Sequence, residues 1–319
     1  MTSPGRSELP PRTIISVEDL TTEDLRHLVT RGRDYAERTA AIEGVLRGRV
    51  VAVYFRQTST RTRTAFSSAA LRLGAQILTY GPHDLQTNTG ETYRDTGRVL
   101  ATMVDAIVAR TAGDPQELRD LAEQGRMPVV NAMTADEHPT QAIADLATML
   151  QHLGRIEDLR VLYVGEGNNS AAALALALAR FPGNELYLRT PAGYGLAEDK
   201  LAQARRQAVS SGSCVEEGHD MSALPDEVDV VYTTRWQTTG TTKPDPDWHE
   251  RFEPFQVNGQ LMGRWPAALF MHDLPAHRGE EVTAEILDGP SSLALPQAAN
   301  KYHTALSILE WCLPGGPPR

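Results

Sequence analysis

The chain has 319 residues and a formal net charge of −10, with hydrophobic and charged fractions of a folded globular protein. That length accommodates two domains of ordinary size. The acidic balance argues against general binding of nucleic acid or anionic membrane, while leaving room for a small, focused basic pocket.

Met1 to Arg12 is polar and proline-rich, and reads as neither a signal peptide nor a membrane span. Glu18 to Ala40 is expected to form a first helix, with Leu20, Leu25, Leu28 and Val29 on one face. The apolar run Val50 to Phe55 reads as a buried parallel strand. Behind it come Ser59-Thr60-Arg61-Thr62 and a helical segment from Ala65 to Leu73, stopped by Gly74. Ala75–Tyr80 is a second strand, 81–91 a polar loop and Thr92–Met103 a helix. Asp105–Ala109, Pro115–Gln124 and Met127–Asn131 read as strand, helix and strand, and Pro139–Leu153 as a helix with proline in its first turn.

A second alternating series follows: strand Leu159–Val164, helix Asn169–Arg180, strand Glu185–Arg189, helix Leu196–Ser210 and strand Val228–Tyr232. Thr233–Asp247 is loop-like, Ala267–Met271 a last core strand, and Gln297–Leu313 a closing helix before a frayed tail. The two cysteines, Cys214 and Cys312, lack ligand-like spacing, fit a reducing, cytoplasmic compartment, and read as structural. The alternation predicts an α/β protein of two similar domains, each a parallel sheet flanked by helices and linked by inter-domain helices. The expected divisions are 1–150 and 151–296, with the C-terminal helix within 297–319 packing back on the first domain.

In open α/β sheets ligands gather beyond the C-terminal strand ends. Six polar clusters fall there: Ser59–Arg63, Arg110, Glu137–Gln141, Gly165–Asn169, Thr233–Gly240 and His272–Pro275. The Ser59–Thr62 stretch opens a helix, where free N–H groups and the helix dipole favour an anion and Arg61 adds a planar fork for phosphate. A well-capped helix with exposed arginines is the plainer reading of that stretch. Gly165-Glu-Gly-Asn-Asn-Ser170 matches a dinucleotide fingerprint poorly, since its third glycine is missing and the next strand ends in Arg189. His138, at a strand-to-helix turn, can donate an N–H to a carbonyl oxygen, and Gln141 can hold an amide. Asp273 suits a base or a partner for a cationic amine. A zinc site from His138, His272 and Asp273 lacks helix-spaced histidines and cysteine ligands, and no metal or cofactor is expected.

Ser59-Thr60-Arg61-Thr62, Arg110, His138-Pro-Thr-Gln141 and His272-Asp273-Leu274-Pro275 stand in an order and at separations that resemble the aspartate/ornithine carbamoyltransferase family. The resemblance runs from about Thr13 to Cys312. It implies a first domain that binds carbamoyl phosphate, a second that binds an amine-bearing amino acid, and a homotrimer with shared active sites. It assigns phosphate binding to Ser59, Thr60, Arg61, Thr62 and Arg110. The carbamoyl group falls to Arg110, His138, Gln141 and the backbone of Leu274. Arg61, Arg110, His138, Gln141 and Asp273 are the expected catalytic set. Gln86 matches a loop residue that reaches the neighbouring subunit.

The acceptor side departs from both branches of that family. Thr234-Arg235-Trp236-Gln237 resembles the aspartate branch, in which Arg and Gln bind the acceptor, but Asn169 follows the ornithine branch. Thr234 stands where ornithine enzymes carry Asp, and Asp273 where they carry Cys. The expected acceptor site is Asn169, Thr234, Arg235, Gln237 and Asp273. One Arg for a carboxylate and one Asp for an ammonium suggest a short diamino acid such as 2,3-diaminopropionate, giving a ureido amino acid of specialised metabolism. Aspartate and ornithine, or an ornithine derivative, are the alternative acceptors. A catalytically silent relative serving as a binding subunit is the alternative of another class.

Overall fold

The structure, a computed structural model, describes residues 11–238 and 241–314. The tail beyond Pro314, the first ten residues, and Thr239 and Gly240 of the expected acceptor loop lie outside the described residues. The first half contains α1 (Thr22–Ala36), β1 (Val50–Phe55), α2 (Arg61–Arg72), β2 (Gln76–Tyr80), α3 (Tyr93–Leu100), β3 (Ala106–Arg110), α4 (Gln116–Ala122), β4 (Val129–Asn131) and α5 (Pro139–Leu153). The second contains β5 (Arg160–Val164), α6 (Asn169–Leu178), β6 (Glu185–Arg189), α7 (Glu198–Ser211), β7 (Cys214–Gly218) and β8 (Val230–Thr233). It closes with α8 (Trp248–Phe252), α9 (Gly259–Met262), β9 (Leu269–His272), α10 (Ala284–Leu287) and α11 (Ala294–Cys312).

Two parallel sheets result, with strand orders β2-β1-β3-β4 and β7-β6-β5-β8-β9. In each, the chain leaves one central strand in opposite directions, so a crevice opens between β1 and β3 and between β5 and β8. The two-domain α/β architecture expected from the alternation is the one observed.

Local chemistry accounts for most boundaries. Thr21 and Asp24 form a reciprocal capping box on α1, which delays the helix relative to the expected start at Glu18. A short 3-10 turn, Val17–Asp19, occupies that position instead. α5 starts at Pro139, where a missing N–H is harmless, and ends at left-handed Gly154. Every residue of α5 from Pro139 to Met149 is buried, so this helix is apolar or internally bonded on all sides rather than amphipathic.

α1, α5, α6 and α11 pack against one another, and one apolar core runs through them from Val51 and Val53 of the first sheet to Tyr163 and Tyr232 of the second. α11 also lies along α2. Strand β7 escapes a pattern-based reading because Val215 is its one fully buried residue among exposed neighbours. Cys312 packs in the core as expected, but Cys214 is exposed on β7, so only one of the two cysteines is a core residue. Among the described residues no helix is long and apolar enough to cross a membrane.

Glu137, at the turn into α5, ties three segments together. Its carboxylate accepts from the Ser16 hydroxyl at 2.7 Å and the Val17 N–H at 2.5 Å, and pairs with Lys200 of α7 at 3.3 Å. Burial raises its pKa, while these partners oppose the rise. Glu137→Ala leaves Lys200 with only the more exposed Asp136, at 2.9 Å, strips the Ser16 hydroxyl and Val17 N–H of their buried acceptor, and frees the turn that carries His138. We expect a loss of about 3 kcal/mol in unfolding free energy by denaturant titration. A loss under about 1 kcal/mol would show that the tie contributes little.

Candidate active site

One cavity of about 370 Å³ lies where the two crevices face each other. Ser59, Thr60, Arg61, Thr62 and Arg110 line it from the first sheet. Asn169, Thr234, Arg235, Gln237, Asp273 and Leu274 line it from the second, with His138 between them.

The first wall is a helix start. Helix α2 begins at Arg61, four residues earlier than its apolar spacing suggested, so Arg61 and Thr62 belong to its first turn. Its N-cap residue, Thr60, makes no side-chain capping bond. The first N–H groups of α2 are therefore not satisfied by that hydroxyl, and the positive end of the helix points at the cavity. Arg110 ends β3 and is paired in register with Phe55 of β1, which brings it beside the same helix start. The Nε atoms of Arg61 and Arg110 are buried without hydrogen-bond partners. Burial lowers the proton affinity of both guanidiniums, Asp273 opposes the fall, and for Arg110 the charge of Arg61 adds to it. Arginine keeps its proton under ordinary conditions, so this strain appears as affinity for an anion.

His138 is buried at the base of the cavity, with a pKa well below 6.5 from burial and from the charges of Lys301 and Arg110. The imidazole is neutral at neutral pH. Thr140 Oγ1 lies 3.3 Å from Nδ1. With that hydroxyl donating, the ring proton resides on Nε2, ready to donate to an oxygen.

Gln141 is set behind the cavity. Its Nε2 donates to Asp145 Oδ1 at 2.7 Å and its Oε1 accepts from Lys301 Nζ. Asp145 also accepts from Gln297 at 2.7 Å and Tyr232 at 2.9 Å. Burial pushes the Asp145 pKa up and the Lys301 pKa down. Lys301, which lines the cavity, is the functional candidate that the sequence reading missed. Its signal was available: Gln297, Asn300, Lys301 and Thr304 repeat at helical spacing on a helix whose neighbouring positions are apolar, which marks a buried polar seam.

On the second wall, Asn168 caps α6 through Ser170 and Ala171 N–H groups at 3.0 and 3.1 Å. Gly165 has φ +123°, and a Cβ on Gly167 would sit 2.3 Å from the Gly195–Leu196 backbone. These glycines serve a tight turn and close chain packing. Asn169 faces the cavity, but its Nδ2 is committed to Thr134 O at 2.8 Å, leaving its carbonyl oxygen as the available end. The Thr234 hydroxyl is engaged by Tyr163 at 2.9 Å and Asn168 at 3.0 Å. Arg235 brings another buried, unpartnered Nε to the cavity, and Gln237 donates to Thr241 O at 2.7 Å. Asp273 accepts from the Ser170 hydroxyl at 2.9 Å. His272 is fully buried; its Nδ1 accepts from Leu274 N–H at 2.8 Å and its Nε2 meets Glu281 at 3.1 Å. Both nitrogens serve the turn that presents Asp273 and Leu274, so His272 does not join His138 at a common point. Gln86 lies away from the cavity on a 3-10 turn, Gln86–Thr89, with its Oε1 accepting from the Thr89 hydroxyl at 3.0 Å.

Fold and site together define a two-domain α/β enzyme that receives a small anionic substrate between its sheets, with cations on one wall and a mixed polar wall opposite. Residues 12–151 match the family model described as "Aspartate/ornithine carbamoyltransferase, carbamoyl-P binding domain", and residues 157–312 match "Aspartate/ornithine carbamoyltransferase, Asp/Orn binding domain". The chain belongs to the aspartate/ornithine carbamoyltransferase family, and its activity is carbamoyl transfer. It is 36% identical to an anabolic ornithine carbamoyltransferase of Pyrococcus furiosus over 310 residues, covering 96% of this chain and 98% of that one. It is 34% identical to the Bacillus subtilis ornithine carbamoyltransferase over 306 residues, covering 96% and 95%. The solved Pyrococcus furiosus ornithine carbamoyltransferase superposes with a TM-score of 0.89 at 36% identity, covering 97% of this chain and 99% of that one. The Giardia lamblia ornithine transcarbamoylase gives 0.85 at 25% identity, covering 96% and 99%.

The lowered proton affinity of Lys301 makes a pH test. A bound phosphate group stabilises the ammonium, so binding takes up a proton once the empty site has lost it. Affinity for inorganic phosphate, read by calorimetry, is expected to fall as pH rises through the alkaline range below the ordinary lysine value of 10.5. Lys301→Arg flattens that slope. An equal slope in both proteins would exclude Lys301 as its source.

Proposed function

We propose that the chain moves the carbamoyl group of carbamoyl phosphate onto an amine of a diamino acid. The observation that carries the acceptor reading is that Arg235 and Asp273 line one and the same cavity. Arg235 suits the acceptor carboxylate, and Asp273 suits an ammonium. Aspartate would bring a second carboxylate towards Asp273, which opposes it. The names of the relatives favour ornithine.

A second reading, a short diamino acid such as 2,3-diaminopropionate, draws on a different observation. Asp273 is electrostatically coupled to Arg61, Arg110 and Lys301, the donor end of the cavity. An ammonium held there lies close to the reacting carbon, as it would when amine and ammonium sit on adjacent carbons.

The chemistry proceeds from these positions. Ser59, Thr60, Arg61 and Thr62 hold the phosphate at the start of α2. Arg110 bridges phosphate and carbonyl, and the neutral His138 donates to the carbonyl oxygen. The Leu274 backbone orients the carbamoyl nitrogen, and Gln141, behind the cavity, acts through Lys301, whose ammonium it accepts from. The acceptor amine, unprotonated, attacks the carbamoyl carbon. A C–N bond forms, the bond to the phosphate oxygen breaks, and phosphate leaves with the electron pair onto Arg61 and the helix start. The attacking nitrogen's extra proton leaves with solvent or phosphate. Juxtaposition of the two reactants supplies much of the rate. We further propose a homotrimer in which Gln86 reaches a neighbour's site; it fits Gln86's place on an outer turn and the exposed apolar residues Leu71 of α2 and Leu78 of the edge strand β2.

Phosphate release with ornithine, 2,3-diaminopropionate and aspartate separates the acceptors. The proposal expects turnover with a diamino acid to exceed that with aspartate by about a hundredfold or more in kcat/KM, the cost of an unpaired buried charge. Aspartate as the best substrate would overturn it. Asp273→Asn is expected to raise the diamino acid KM about tenfold or more, and to hold or tighten carbamoyl phosphate binding, because a negative charge leaves the cationic wall. A fall in kcat alone would instead mark Asp273 as a base.

A further inference from the structure

The acceptor loop is fastened from behind by a lysine that takes no part in lining the cavity. Lys243 lies just past the described end of the Thr234–Thr238 segment, and its side chain is 3% exposed. Its ammonium sits 4.5 Å from the ring centroid of Tyr194, 4.6 Å from Phe252 and 5.3 Å from Trp248. Its charge is met by Glu166 Oε1. The other oxygen of Glu166 accepts from the backbone N–H of Thr238 at 3.1 Å and from the Thr238 hydroxyl at 2.8 Å. Glu166 therefore joins the turn after β5 to the loop after β8, and the caged lysine neutralises the carboxylate that makes the joint.

The cage is built from distant parts of the chain. Tyr194 follows β6, while Trp248 and Phe252 belong to α8. Tyr194 and Phe252 meet edge to face at 5.0 Å, and Trp236, inside the acceptor loop, packs on Phe252 at 5.6 Å. A desolvated ammonium among aromatic faces and beside a carboxylate is held far more firmly than one on a surface. The segment it anchors contributes Arg235, Gln237 and Thr238 to the cavity. A carboxylate already engaged by Lys243 is also barred from turning to the acceptor's ammonium, which leaves that role to Asp273.

We propose that Lys243 is a positioning residue: clamped between Glu166 and the Tyr194–Trp248–Phe252 cage, it fixes the acceptor loop and so sets affinity for the amine substrate, not for carbamoyl phosphate. This rests on the reading of Arg235 and Gln237 as acceptor-binding.

The test compares wild type with Lys243→Met, Lys243→Arg and Glu166→Gln by substrate-saturation kinetics, together with hydrogen–deuterium exchange over residues 233–247. Lys243→Met keeps the volume and loses the charge. It is expected to raise the acceptor KM roughly tenfold, leave the carbamoyl phosphate KM unchanged, and speed exchange across the loop. Lys243→Arg restores both readouts towards wild type, and Glu166→Gln reproduces the loss. An acceptor KM within about twofold of wild type, with loop exchange unchanged, overturns the proposal. So does an equal rise of both KM values with a general loss of stability, which marks Lys243 as merely structural. If no diamino acid is turned over by wild type, the acceptor reading fails, and exchange over the loop still decides whether Lys243 fastens it.

Discussion

Arg61, Arg110 and Lys301 bury three like charges around one cavity, with Asp273 the carboxylate that faces all of them. Such an arrangement opposes folding unless the scaffold is stiff enough to hold it, and an anion in the cavity relieves it. The rest of the molecule supplies that stiffness. Arg61 is fixed by the start of α2, Arg110 by the register of β3 against β1, and Lys301 by a buried helix that touches α1, α2 and α5. The polar seam of Gln141, Asp145, Tyr232 and Gln297 keeps every heteroatom it names in a hydrogen bond, so the charges rest on a satisfied network.

The two sheets explain why the cavity forms where it does. Each has its reversal of strand order at a central pair, and the two reversals face each other across α5 and α11. Donor chemistry sits on one and acceptor chemistry on the other, with His138 at the turn between them. Glu137, one residue earlier, binds Ser16, Val17 and Lys200, so the turn that carries the imidazole is anchored in both domains. A shared core through α1, α5, α6 and α11 makes the spacing between the walls a property of packing rather than of a linker.

Much of this was legible in the sequence because buried parallel strands are nearly continuous apolar runs and their C-terminal ends are polar. Arg110 and His138 stand at such ends and line the cavity. The start of α2 at Arg61 falls inside the Ser59–Thr62 stretch read as a helix opening; only the apolar periodicity begins later, at Ala65, because Arg61–Thr64 carries none. β7 and the short helices α8, α9 and α10 were missed because each is too short, or too exposed, to carry a period. Lys301 was overlooked because a cation on a helix ordinarily marks a solvent face. Asn169 shows the converse: its position was readable, but the carbonyl of Thr134 that claims its amide nitrogen was not. Thr238 and Lys243, in the loop after β8, are both tied to Glu166, 72 and 77 residues earlier in the chain. No local pattern exposes such a tie.

The second wall is the less constrained half of the site. A single arginine and a single carboxylate define its charge pattern, and both belong to turns whose geometry is set by second contacts, through Glu166 for the loop and through His272 and Glu281 for Asp273. The donor wall, by contrast, is defined by three cations that Asp273, a single carboxylate, balances only in part. Thermal unfolding of wild type and Arg110→Met, each with and without inorganic phosphate, tests that claim most directly. The account predicts that Arg110→Met melts at or above the wild-type temperature when empty and loses the stabilisation that phosphate gives wild type. A variant that melts lower when empty, yet is stabilised by phosphate as much as wild type, would contradict it.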